Sequence, residues 1–353
     1  MTDIFDLDTP AVLIDLDRVE ANLKRVQDYA DRHGLKLRPH IKTHKLPRFA
    51  RRAMELGAVG ITVQKLGEAE VFADAGISEI FLPYNIVGAA KLARLLALHG
   101  RVHITVTADS PETVEGLSRT FAESATSLTV LVECDTGMGR CGVQTSAAAV
   151  ALAEKIVNSP GLRFGGLMTY PAAGQVEANA AWLTAAKLAL SDAGLQADVV
   201  SNGGTPDLWR AHEVTAATEH RPGTYVYMDR FQVAKGVGSF DDCALTVLAT
   251  VVSRPTEDRA IIDAGSKALT SDTLGMTGFG LIEAYPDAVI VGLSEEHGTI
   301  DLSACAAKPS IGDKLRIIPN HACVVSNLFD RVNLISGDRL VETVNVDARG
   351  RVD

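Results

Sequence analysis

The chain has 353 residues, 46% hydrophobic and 22% charged, a composition that fits one large globular domain or two ordinary ones and excludes a disordered segment. Its formal net charge of -10 argues against a nucleic-acid surface and leaves small molecules as the expected partners. No run approaches ~18 uninterrupted apolar residues, so no membrane-spanning helix is expected. The acidic start MTDIFDLDTP lacks the basic and apolar regions of a secretion signal, and Cys134, Cys141, Cys243, Cys305 and Cys323 never form a CxxC pair. The expected setting is the reducing cytoplasm.

Short apolar or β-branched runs then alternate with helix-periodic stretches. AVLIDL (residues 11–16) precedes RVEANLKRVQDYADRHG, which ends at Gly34. KLRPHIK (36–42) leads into a helix through FARRAMELGA. GITVQ (60–64) is followed by GEAEVFADAG, and EIFLPY by VGAAKLARLLALHG. VHITVTA precedes SPETVEGLSRTFAE, whose Ser-Pro opening is a good helix start. LTVLVECD, FGGLMTY and DVVSNGG continue the alternation, each with a helical stretch behind it. About eight βα units with right-handed crossovers predict a parallel (β/α)8 barrel, with a doubly wound open sheet as the competing arrangement. After about Tyr227 the pattern changes. ALTVLATVVSR, DRAIIDAG, AVIVGLSEEHGTIDL and GDKLRIIPNHACVVSN read as strands separated by turns, which predicts a second, mostly antiparallel β domain.

In a parallel barrel the working residues gather at the C-terminal ends of the strands. Lys42 ends the KLRPHIK strand, where a partly desolvated amine can attack an aldehyde to form a Schiff base, and Arg38, His40 and His44 stand close enough in sequence to tune it. An ordinary paired lysine is the bland alternative. SNGGTP (201–206) joins a strand to a helix, and its adjacent glycines let backbone N–H groups converge on an anion such as phosphate. A Schiff-base lysine and a phosphate loop in one barrel suggest pyridoxal phosphate. In DTGMGRCGV (135–143) Arg140 could reach the cofactor's phenolic oxygen, and Tyr225 or Tyr227 in RPGTYVYMD could meet its ring nitrogen. In PNHACVVSN (319–327), His321 and Cys323 fall at i and i+2 and would share one face of a strand. Imidazole plus thiolate suits Zn2+, or Mn2+ with oxygen ligands, and two protein ligands leave positions open for substrate.

RPHIKTHK, GITVQKLGEAE, DTGMGRCGV, SNGGTP, RPGTYVY, IDAGSKALTSD, LSEEHG and IPNHACVVSNLFD, in this order over the whole chain, resemble the D-threonine aldolase / D-serine dehydratase family of pyridoxal phosphate enzymes with the alanine-racemase-type fold. The resemblance implies a barrel over residues 18–230, a β domain made of residues 1–17 and 231–353 that carries the metal site, and a homodimer. It implies that Lys42 is the Schiff-base lysine, that Gln64, Arg140, Tyr170, Ser201, Asn202, Gly203, Gly204, Thr205 and Tyr225 form the cofactor pocket, and that His321 and Cys323 hold the metal. The expected reaction is cleavage of a β-hydroxy-D-amino acid to glycine and an aldehyde. D-serine-dehydratase-type elimination to a 2-oxo acid and ammonia is the alternative. Two departures bear on that choice. The metal pair is His-x-Cys, as in D-serine dehydratases, rather than the His-x-Asp of aldolases. The loop MTYPAAGQ also lacks the histidine that aldolases place near the substrate hydroxyl, which leaves His40, His44 or a metal-bound hydroxide as the candidate proton acceptors.

Overall fold

A computed structural model of the protein describes residues 2–353, and the chain divides into two compact units. One unit takes in Val26–Lys42, Pro47–Gly223 and Arg351–Asp353. Its sheet has eight parallel strands: Lys36–Leu37, Ile61–Thr62, Glu79–Asn85, His103–Ala108, Leu128–Cys134, Leu162–Thr169, Val199–Asn202 and Glu219–His220. The first strand pairs with the eighth, and a parallel bridge between His40 and Thr62 joins the first to the second, so the ring closes. This is the expected (β/α)8 barrel.

The reasons for the alternation are local. Leu128–Cys134 is buried at every position, as a parallel strand covered on both faces must be. The helix Pro111–Phe121 starts where Ser110 Oγ accepts the Thr113 N–H at 3.3 Å with Pro in the first turn. On it Val114, Leu117 and Phe121 recur at helical spacing and are all 0% exposed. Each such side chain contributes roughly 1.5–3 kcal/mol by burial.

The other unit takes in the residues up to Arg25, Thr43–Leu46 and Thr224–Gly350. Its nine-stranded sheet is antiparallel throughout except where Ala11–Asp15 runs parallel to Arg331–Ser336. AVLIDL stands in the β-unit sheet, where the resemblance puts residues 1–17, and not in the barrel as its position in the alternation alone suggests: Leu13 pairs with Thr246 on one side and Asn333 on the other. A short, wholly buried apolar run reads the same in either kind of sheet, and its partners lie more than two hundred residues away. The true eighth barrel strand, Glu219–His220, carries two charged or polar residues with no periodic signal. Tyr225 lies beyond it, in the 3-10 turn Thr224–Val226, and not on a strand. Among the described residues no helix is long and apolar enough to cross a membrane.

Gly166, inside the strand Leu162–Thr169, has φ +133° at a point where the pairing register with Leu128–Cys134 shifts. A Cβ there would stand 1.9 Å from the Val199 carbonyl oxygen. Gly166→Ala should lower stability by more than about 3 kcal/mol, through both backbone strain and the clash. Gly194→Ala, also at positive φ but in open space, should cost only about 1 kcal/mol. Urea midpoints of the two variants check this, and equal midpoints would show that the barrel yields at Gly166.

Candidate active site

Within the barrel unit, Lys42 lies in a 3-10 turn, Ile41–Thr43, beyond a first strand that stops at Leu37. KLRPHIK is thus only partly strand, because Pro39 has no N–H to give to a ladder. The turn is set by His40. Its Nδ1 accepts the Lys42 backbone N–H at 3.3 Å, which leaves Nε2 to carry the proton donated to Gln64 Oε1 at 2.9 Å. Gln64 is held in turn through its backbone N–H to Glu68 Oε2 at 2.7 Å. His40 thus uses both ring nitrogens to fix the turn that presents Lys42.

A cavity of about 480 Å³ opens there, within the size range of small-molecule sites. Its lining includes Lys42, Gln64, Asn85, Glu133, Arg140 and Cys141. Lys42 Nζ stands 5.8 Å and the Arg140 guanidinium 5.0 Å from the centre of the Tyr170 ring, so two cations share one aromatic face-bearing residue. Arg140 reaches it from the exposed turn 135–142, in which Asp135 Oδ1 accepts the N–H groups of Gly137 and Gly139, each at 3.0 Å.

Ser201 and Asn202 end the seventh barrel strand, and the turn Gly203–Gly204–Thr205 follows. It is bound to the eighth strand side. His220 Nε2 donates to the Gly204 carbonyl at 3.0 Å, and Thr205 Oγ1 accepts the Gly223 N–H at 3.1 Å. Ser201 Oγ donates to Glu219 and accepts from Arg221 at 2.6 Å, while Asn202 Oδ1 accepts from Asn179 at 3.1 Å. Gly204 has φ +133°, a conformation that an L side chain resists. Among the described residues the N–H groups of Gly203 and Gly204 meet no protein acceptor. Two bare amides at the C-terminal end of a barrel strand fit an anion such as phosphate. The segment that follows is a 3-10 turn, Leu208–Glu213, rather than the expected α-helix. Lys42, Gln64, Arg140, Tyr170 and the 201–205 turn all belong to this unit.

In the β unit, His321 and Cys323 are not on a strand. His321, with extended backbone, precedes the helix Ala322–Leu328, and Cys323 is its second residue. The β-branched run ACVVSN suggests a strand, but Asp229 Oδ2 accepts the Ala322 N–H at 3.0 Å and starts a helix instead. This capping group comes from 93 residues away. The two side chains nonetheless meet. Burial opposes a charge on His321, yet the Cys323 sulfur and then the Asp272 carboxylate raise its imidazole to about 9. Asp272 Oδ2 lies 2.8 Å from His321 Nδ1, which leaves Nε2 for a ligand, and the neighbouring Asn320 clamps the Asp272 carbonyl at 3.1 Å. The hydroxyls of Thr43 and Thr224 stand 3.2 and 3.5 Å from the Cys323 sulfur. Among the described residues no three His, Cys, Asp or Glu side chains form a ready cage. The donor set fits a borderline-soft divalent ion with open positions rather than a closed structural site. His44 is buried in this unit, its Nδ1 accepting the Leu46 N–H at 3.0 Å, and burial pushes its imidazole down to about 3. Tyr225 is also buried there, and its hydroxyl has no hydrogen-bond partner among the described residues.

Asp272, Thr43, Thr224 and Glu133 were not picked out from the sequence. Asp272 is 49 residues from His321, and only the fold makes them neighbours.

Residues 14–231 match the alanine racemase N-terminal domain, and residues 244–335 a serine dehydratase domain. The chain is 36% identical to a D-threonine aldolase of Arthrobacter sp, over 98% of this chain and 93% of that protein. It is 34% identical to a D-threo-3-hydroxyaspartate dehydratase of Delftia sp. strain HT23, over 96% of this chain and 97% of that one. Solved variants of a D-threo-3-hydroxyaspartate dehydratase include one with a histidine replaced by alanine and one, in metal-free form, with a cysteine two positions further on replaced. The crystal structure of D-threonine aldolase from Filomicrobium marinum superposes with a TM-score of 0.92 at 33% identity, covering 99% of this chain and 97% of that one. A barrel that matches along its length, followed by a matching β domain, places this chain in the alanine racemase N-terminal domain family, in its D-threonine aldolase / D-serine dehydratase branch.

Proposed function

We propose that the protein is a lyase dependent on pyridoxal phosphate and a divalent metal, Mn2+ or Zn2+, that cleaves a small β-hydroxy-D-amino acid to glycine and an aldehyde. The observation that carries the reading is the convergence of Lys42, Gln64 and Arg140 on one cavity. Bare amides at Gly203 and Gly204 in the same unit, and 36% identity to a D-threonine aldolase over 98% of the chain, support it. We assign covalent attachment of the cofactor to the Lys42 amine, and its phosphate to the turn Ser201, Asn202, Gly203, Gly204 and Thr205. Arg140, Tyr170, Gln64 and Tyr225 are assigned to its ring. The chemistry that pyridoxal phosphate supplies when bound is an electron sink for the pair left on Cα. A divalent ion at His321 and Cys323 supplies Lewis acidity towards the β-hydroxyl.

The chain's own residues do the rest. His40 and Gln64 hold the Lys42 turn; the β-hydroxyl gives up its proton to solvent water, and the Lys42 amine brings one from solvent to Cα, so the proton count closes. Asp272 keeps the His321 ring oriented for ligation, and the Thr43 and Thr224 hydroxyls stabilise the Cys323 sulfur as an anion. His44, with its imidazole at about 3, stays neutral through the working pH range and fixes the turn after Lys42 rather than exchanging protons. The assembly that goes with this reading is a homodimer.

One observation favours a second reading, elimination to a 2-oxo acid and ammonia. The His-x-Cys pair here matches the spacing of the residues replaced in the dehydratase variants. In that reading Lys42 removes the Cα proton. Product analysis with D-threonine, pyridoxal phosphate and Mn2+ or Zn2+ decides between them. Glycine with acetaldehyde establishes the aldolase, and 2-oxobutyrate with ammonia the dehydratase.

Lys42→Ala should abolish the absorbance of covalently held cofactor and lower kcat by at least about a thousandfold. Retained colour would contradict the role of Lys42. Ligation requires His321 to shed its proton. Metal affinity should therefore climb about tenfold per pH unit up to about 9 and level off above it, in a chelator competition. Asp272→Asn should weaken metal binding by about 10–100-fold in the same assay, with Lys42-bound cofactor unaffected.

A further inference from the structure

The same cavity contains a group that neither the sequence nor the proposed chemistry uses. Glu133, on the strand Leu128–Cys134, is 4% exposed and is the one acidic residue in the cavity lining. Among the described residues the one hydrogen bond to its carboxyl group, from Thr107 Oγ1 at 3.5 Å, is at the limit of such bonds. Among the described residues it forms no ion pair. The charged groups acting on it are Arg140 and Arg221, which favour its carboxylate, and Asp109, which opposes it. Lys42, Tyr84 and Cys141 share its cavity. Burial is the largest influence and, against the two guanidiniums, pushes the carboxyl up to about 7. A carboxylate held mainly by Arg140 at a distance is a poor neighbour for an anion. A ligand that engages Arg140 both uses the cation that favoured Glu133's charge and brings a like charge beside it.

We propose that Glu133 couples anion binding in this cavity to proton uptake: when an anionic cofactor draws on Arg140, the Glu133 carboxylate takes one proton from solvent and remains a neutral hydrogen-bond donor beside it. Glu133 is thus a positioning residue acting through Arg140. The inference rests on the cofactor reading above. No other atom is exchanged, so the balance is one proton from water onto a Glu133 oxygen for each ligand bound. The sign follows. Below pH 7 the carboxyl is already protonated and binding is indifferent to it. Above pH 7 each bound ligand must bring a proton, and affinity falls as the pH rises.

The test is the affinity of cofactor-stripped protein for pyridoxal phosphate, read by calorimetry, in the wild type and in Glu133→Gln. From about pH 6 to about pH 8 the wild type should lose about tenfold in affinity relative to the variant. Ionisations of the cofactor and of Lys42 are common to both proteins and cancel in the ratio. Parallel curves for the two proteins overturn the coupling while leaving the cofactor reading intact. A wild type that binds no pyridoxal phosphate overturns both. Should Glu133→Gln fail to fold, Thr107→Val keeps the carboxyl and removes its one donor. The inflection should then move to higher pH, and an unmoved inflection rejects the proposal.

Discussion

The barrel closes on two strands of two residues each, and that closure is what the presentation of Lys42 depends on. Such short ladders supply few backbone bonds, so polar side chains complete the seam. Arg38 pairs with Glu219 at 3.0 Å, Glu219 accepts from Ser201, and Arg221 binds both Ser201 and the Thr169 carbonyl, the latter at 2.7 Å. Thr62 adds its N–H to the Pro39 carbonyl at 2.7 Å and its hydroxyl to that of Arg38 at 2.9 Å. Glu219 and Arg221 are both almost wholly buried, and each is satisfied by polar partners. Removing one member of a buried ion pair typically costs about 3–5 kcal/mol, because the other is left charged and dry. The seam is also where the first strand ends, so the groups that hold the barrel shut also fix where the turn of Lys42 begins.

Three histidines show how environment divides labour among identical side chains. His40 has both ring nitrogens in hydrogen bonds and serves as a bracket. His44 is buried, and burial takes its imidazole down to about 3. His321 is also largely buried, but a sulfur and a carboxylate outweigh that and raise it to about 9. Desolvation alone would treat the last two alike; the neighbouring anions reverse the outcome. In the barrel cavity, burial likewise moves the Glu133 carboxyl towards neutrality.

The two candidate clusters follow one principle with different materials. In the barrel, the strand ends bring backbone amides and long cationic side chains to one cavity. In the β unit, a helix start presents an imidazole and a thiol, and the orienting groups arrive from distant segments: Asp229, Asp272, Thr43 and Thr224. In both, the candidate residue is held by neighbours that are not part of its motif.

The alternation of buried runs with amphipathic stretches was sufficient for the barrel, because each unit writes its own period and cap, as Ser110 and Pro111 do before Val114, Leu117 and Phe121. The strand-turn-strand pattern after Tyr227 likewise marked the β domain, and the motifs around Lys42, Arg140, Ser201 and His321 supplied the candidate site residues. What the sequence did not contain was partnership over distance. AVLID is equally a barrel strand or a β-domain strand until Thr246 and Asn333 are set beside it. Glu219–His220 becomes a strand only because Lys36–Leu37 and Val199–Asn202 flank it. ACVVSN becomes a helix only because Asp229 caps it. Local propensity and period are properties of a few consecutive residues and survive in the bare chain. Strand neighbours, a cap from 93 residues away and the protonation of a buried carboxyl are set by groups that only the folded chain brings within a few ångströms.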